Sequence, residues 1–225
     1  IILVCLSLMF GWMAFYPFQY SFTNYVPYNV YKADMGASDN STYLKGFQMA
    51  EIIFVVLALS QSISSLIFPF ITSILGKVPT FLIMQVLAGV SYAVMLSTMY
   101  LSPGFEDDSE TTFIISVVLL FLSVIFPGCA FVQVNSLPYT LLKHLVDADR
   151  FGAFSGLMNC AVVIAQFLSA GLITIVSIFW NDYQFSIICS VAFSVLAVIG
   201  AVSLFFVNRS ISQYQPIPAS DPSEQ

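Results

Sequence analysis

Trp12, Tyr16, Gln19 and Thr23 follow one another at intervals of four, three and four residues, so in a helix they share one face. An aromatic ring can cover the apolar CH face of a sugar while an amide donates to and accepts from its hydroxyls, so this face has the chemistry of a carbohydrate site. The same residues also suit a helix-packing face with an interfacial aromatic belt. Further along, Ser155, Asn159 and Gln166 share a face with Gly152 and Gly156. Small residues four apart allow close helix approach, so that face is expected to meet protein, with Asn159 bonded either to a neighbouring helix or to a solute. Gln61, followed by Ser62, Ser64 and Ser65, and the pair Gln133 and Asn135 are further cavity-lining candidates. Substrate contact is expected at Trp12, Tyr16, Gln19, Gln61, Asn159 and Gln166.

These polar groups interrupt segments of another character. The chain has 225 residues, 59% hydrophobic and 8% charged, against the roughly 25% charged content of soluble domains. Its apolar blocks exceed the ~20 helical residues that cross a hydrocarbon core of ~30 Å. Six spans are expected, over 1–25, 47–75, 79–101, 111–138, 151–177 and 183–207. A lipid-facing backbone must satisfy its own hydrogen bonds, and the blocks lack the alternation of barrel strands, so the predicted fold is all α. Residues 1–208 form the expected six-helix bundle, and 209–225, rich in Pro, Ser and Gln, an expected disordered tail. Pro17, Pro127 and Pro138 are read as helix breaks, with Pro69 a fourth proline in a span; broken helices expose carbonyls to a solute or bend during alternating access, unless neighbouring helices simply hold them kinked.

Several chemistries are disfavoured. Glu51 is the only acid inside these spans, so it is the proton-coupling candidate in this segment unless it is merely a solvated helix end near 47. Cys5, Cys129, Cys160 and Cys189 have no redox or metal spacing and read as packing residues. His144 has no second ligand near it, so no metal is expected. The zinc-protease, P-loop and nucleophile-elbow motifs are absent, so no enzyme activity and no cofactor are expected. The net charge of −6 sits mainly in loops and tail and disfavours a nucleic-acid partner.

Sidedness follows from the loops. Lys77, Lys143, Arg150 and Arg209 lie in one alternate set, Lys32 and Lys45 in the other, which puts the first set in the cytoplasm. Asn40-Ser41-Thr42, a glycosylation acceptor, falls in the first loop and agrees, so Asn40 is expected to carry a glycan outside. The acidic run Glu106, Asp107, Asp108 and Glu110 then also faces outward, while Asn208 is an acceptor on the wrong side. The C-terminus is expected to be cytoplasmic. There Tyr214-Gln215-Pro216-Ile217 is similar to a tyrosine-based sorting signal, so the expected membrane is the plasma membrane or that of an endosome, lysosome or vacuole. The chain opens on Ile1 within an apolar block, without Met or a basic leader, which predicts a longer protein.

Three strings carry a resemblance: WMAFYPF (12–18), NSLPYTLL (135–142) and FGAFSGLMNCAVVIAQ (151–166). In this order they resemble helices seven, ten and eleven of the sucrose transporter branch of the major facilitator superfamily. The resemblance implies that the whole chain is helices seven to twelve of a twelve-helix fold, with the N-terminal half of the same chain as its partner. It further implies a sugar or glycoside carried with a proton between the halves. One departure matters: where the family often has Phe-Asp-Thr-Asp-Trp, this chain has Ser21, Phe22, Thr23, Asn24 and Tyr25. Two alternatives therefore accompany the carrier reading, a non-transporting sensor or scaffold and a carrier of another small organic solute.

Overall fold

The computed structural model describes residues 1–34, 41–104, 110–179 and 183–214, with the backbone alone described at His144 and over 208–214. Seven α-helices follow in order: α1 Ile2–Tyr25, α2 Ser41–Leu75, α3 Lys77–Leu101, α4 Glu110–Ser123, α5 Ile125–Leu145, α6 Phe151–Phe179 and α7 Gln184–Tyr214. The described residues include no strand. α4 and α5 together make one crossing, so six helical units are long and apolar enough to span a bilayer, one for each expected block. The protein is a multi-pass, all-α membrane protein.

Local chemistry explains where the helices stop and turn. Gly76 alone separates α2 from α3; its φ of 84° is one that side-chain-bearing residues rarely adopt. Such a short link makes α2 and α3 antiparallel neighbours, as expected. The α4–α5 break at Val124 lies three residues before Pro127. Proline there can neither donate to the Ser123 carbonyl nor fit beside it, so the helix restarts. Pro17 and Pro138, also expected to break helices, lie inside α1 and α5, which run through them as continuous helix, as α2 does through Pro69. The other irregularity is a π-helical turn, Val26–Val30, that prolongs α1. Pro27 sits in it, and the backbone widens so that Tyr31 N–H donates to the Val26 carbonyl at 2.9 Å.

Two boundaries differ from the sequence expectation in ways that matter. α2 starts at Ser41, not near 47, because Gly46 brings the helix against the Pro27 backbone, where any Cβ would collide. Glu51 therefore lies ten residues into α2, about 15 Å along it, rather than at a helix end. α7 continues to Tyr214, so the first residues assigned to a structureless tail are helical; 215–225 lie outside the described residues. Asn40, the acids Glu106 to Asp108 and most of the sorting-signal string also fall outside them.

The packing has an internal two-fold pattern. α1 packs most extensively on α7 and next on α6, while the α4–α5 unit packs most extensively on α3 and next on α2; α3 meets α7, and α1 meets α5. Exchanging the first three spans for the last three maps this pattern onto itself. Each set has three crossings, so the second begins on the opposite face of the membrane and the relation is inverted. Glycine sits at these crossings, as is usual where helices meet in lipid. A Cβ on Gly11 would lie 2.6 Å from Val134, and one on Gly89 or Gly200 would lie 2.9 Å from the hydroxyl of Ser194 or Ser7.

Candidate functional site

α1 is the most deeply buried span, and its exposure is selective. Between Gly11 and Tyr25 the residues not buried are Trp12, Tyr16, Gln19, Tyr20, Thr23 and Asn24. Four of these form the face expected from spacing; Tyr20 and Asn24 widen it by one register. The stripe contains no aliphatic residue. By contrast, large apolar side chains dominate the exposed surface of α2 (Ile63, Leu66, Ile67, Phe70), with Ser62 and Ser65 bonded to their own helix backbone, and of α6 (Val163, Ile164, Phe167, Leu168), as lipid requires.

α5 ties the candidates together. Trp12 meets the Phe131 ring edge-on, centroids 5.0 Å apart, and Phe15 stacks on the same ring at 4.0 Å. The Trp12 indole N–H is buried without a hydrogen-bond partner among the described residues. Asn159 of α6 accepts a hydrogen bond from the Tyr139 hydroxyl of α5, the helix-to-helix bond that was one of its two expected roles. Gln61 lies one turn before Ser64, which donates to the Cys129 sulfur of α5 at 2.8 Å. Phe131, Asn135 and Tyr139 thus line α5 at intervals of four, between the contact to α1 and the contact to α6.

Other candidates are not gathered. Gln166 lies two turns beyond Asn159 and is half-buried. Gly152 and Gly156, expected to face protein, have nothing of this chain within 4 Å of where a Cβ would be. Their face is open because α6 packs chiefly on α1 through its opposite side. Glu51 is exposed on α2. None of the six expected contact residues lines either of two clefts at the ends of the bundle.

The first cleft, at the end bearing the α1–α2 connection (the first-loop end), has a volume of about 360 Å³. It lies between the last turns of α1 and α6 and the start of α7, lined by Tyr20, Ser21, Asn24, Ile173, Thr174, Val176, Ser177, Tyr183, Phe185 and Ser186. Ser21 and Ser186 share a hydrogen bond of 2.6 Å, and Asn24 Oδ1 accepts from the Tyr43 hydroxyl at 3.2 Å. Tyr28 stacks on Tyr183 and also meets Tyr43, with centroids 5.3 and 5.2 Å apart. Burial pushes the Tyr183 phenol above its ordinary range, with Tyr28 and Tyr43 adding to the effect, so it remains a neutral donor. The second cleft, of about 270 Å³, lies at the Gly76 end between the last turns of α2 and α5 and the start of α3, with Lys77 in its wall.

No protein-family model matches the chain, and no curated protein matches it in sequence. The functional reading therefore rests on the residues. Spacing alone reached the α1 stripe but missed the first-loop cleft. Only the step from Tyr16 to Tyr20 and Asn24 was visible locally; Tyr183 and Ser186 come from the other end of the chain.

Proposed function

We infer that this chain is one six-helix half of a twelve-helix secondary carrier that moves a sugar or glycoside by alternating access, with proton symport as its leading energetic scheme. The observation that carries this reading is the α1 stripe: aromatic, amide and hydroxyl side chains stay open from Gly11 to Tyr25, where the other faces of the helix are packed. In hydrocarbon such a stripe is costly, so it belongs against a polar cavity or a second protein surface. The inverted packing of two three-helix sets is the arrangement found within each half of major facilitator carriers, and it supports the resemblance. The N-terminal half of the same protein is the partner that would close the open face, and the solute would sit between the halves against Trp12, Tyr16 and Gln19, with Gln61 and Asn159 around it and Gln166 apart from it.

Uptake of labelled sucrose into proteoliposomes holding the full-length protein, with and without a pH gradient, tests this. Tyr16→Ala should lower uptake about tenfold, the loss of one stacking and hydroxyl contact of ~1.4 kcal/mol, with normal insertion. Unchanged kinetics in Trp12→Ala, Tyr16→Ala and Gln19→Ala would reject the site; flux indifferent to pH, or to Glu51→Gln, would remove symport through this half.

One observation favours the second reading, a sensor or scaffold that kept the fold and lost transport. At the two positions where the resembling family has carboxylates, Phe22 is buried completely in the aromatic core and Asn24 accepts a neutral hydrogen bond. No flux of any solute would support it. With flux, the fold alone leaves another organic solute as cargo.

A further inference from the structure

We propose that the first-loop cleft is a second solute site, distinct from the contacts at Trp12, Tyr16 and Gln19 though it shares Tyr20 and Asn24 with the widened stripe, and that it takes a neutral polyhydroxylated molecule of mono- or disaccharide size. Its volume of about 360 Å³ falls at the small end of ligand sites, which run from about 300 to 1,000 Å³. Among the described residues ten line the cleft; seven of these carry a hydroxyl or an amide, and none of the ten is an acid or a base. Among these ten residues a charged ligand would find no counter-ion, whereas a polyol would find donors, acceptors and rings.

The polar groups are set for exchange with a ligand. In the Ser21–Ser186 pair one hydroxyl donates to the other, so the accepting hydroxyl keeps its own O–H for a third group. Tyr43 occupies Asn24 Oδ1, which fixes the amide and leaves Nδ2 as a donor with no partner among the described residues. Two rings come from distant parts of the chain: Tyr20 of α1 stacks on Tyr16 with centroids 6.2 Å apart, and Tyr183, in the turn just before α7, stacks on Tyr28. Each has one face occupied by its neighbour and one left to lie on sugar CH groups. Tyr20 and Tyr16 being in contact, the cleft adjoins the stripe and would hold a solute on its way to or from it.

The site can be tested without transport. Ser177→Cys, made in the full-length protein in nanodiscs, provides a reporter in the cleft wall; its reaction with a polar maleimide is followed by mass spectrometry at that residue. Sucrose should slow the reaction severalfold. Tyr183→Ala and Asn24→Leu should each raise the sucrose concentration needed by about fivefold to tenfold. Trp12→Ala, which tests the transport site and whose ring meets Phe131 rather than a residue of the cleft, should leave protection in place. Potassium gluconate, an anionic polyol, should protect poorly. No protection by sucrose, or protection abolished by Trp12→Ala while both cleft variants retain it, overturns the proposal. Elution of each variant as a folded monomer shows that a lost effect is local, and the milder Tyr183→Phe, which keeps the ring, should retain most of the protection.

Discussion

The two end clefts occupy corresponding places. Under the exchange of three-helix sets, the ends of α1 and α6 and the start of α7 correspond to the ends of α5 and α2 and the start of α3, at opposite faces of the membrane. Their chemistry differs. At the Gly76 end the hydroxyls are spent on their own helices: Thr72 donates to the Phe68 carbonyl, Ser65 to Ser62, Ser136 to Val132 and Thr140 to Ser136, all within 2.7–2.9 Å. At the first-loop end Ser177 likewise donates to the Thr174 carbonyl of its own helix, but Ser21 meets Ser186 and Tyr43 meets Asn24 across the bundle. Counting polar residues would make the clefts alike. Capacity to bind depends on which donors are still unspent.

The largest test of this contrast concerns the walls. Gly128 stands where α5 meets α2, and a Cβ there would fall on the Ser60 hydroxyl and 3.1 Å from the Leu57 carbonyl. Gly128→Val should destabilise the protein by about 2–3 kcal/mol, a full overpacking penalty, read as a lowered melting temperature in detergent. Gly171→Val on α6, with nothing within 4 Å of its Cβ, should change it by less than about 0.5 kcal/mol. Equal effects would mean that α6 is as tightly held as α2.

A smaller effect is expected at the bridging hydroxyls. A double-mutant cycle of Ser21→Ala and Ser186→Ala should give a coupling of about 0.6 kcal/mol, typical of an interhelical bond in lipid. Thr140→Val, which removes a bond made within one helix, should cost almost nothing, and a coupling indistinguishable from zero would erase the distinction between the clefts. The smallest effect belongs to charge: Lys77→Gln should leave sucrose protection at residue 177 unchanged, since Lys77 lines only the Gly76-end cleft.

The spans were legible because hydrocarbon sets a minimum length and the apolar blocks exceed it. The α1 stripe was legible for a related reason, since Trp12, Tyr16, Gln19 and Thr23 are polar or amphipathic on an apolar helix. Faces were harder. Residues such as Val163 and Phe167 are apolar whether they meet lipid or protein, so Gly152 and Gly156 on α6 gave no true signal of a covered side. Proline misled in another way: Pro17 and Pro138 stay within continuous helices held by neighbours, whereas Pro27, taken with the loop, sits in the π turn. The first-loop cleft depends on residues 165 positions apart, Ser21 and Ser186, and no local pattern marks such a pair.

The π turn has a mechanical consequence. Tyr25 donates to the Met95 carbonyl at 2.7 Å, Ser102 to Val30 at 2.6 Å and Lys32 to Met99 at 2.8 Å, so three lashings bind the top of the first helix to the third. That corner behaves as a strut. A solute tugging on Asn24 would load both helices at once, and any pivot in the first helix must lie farther down, toward the Gly11 crossing.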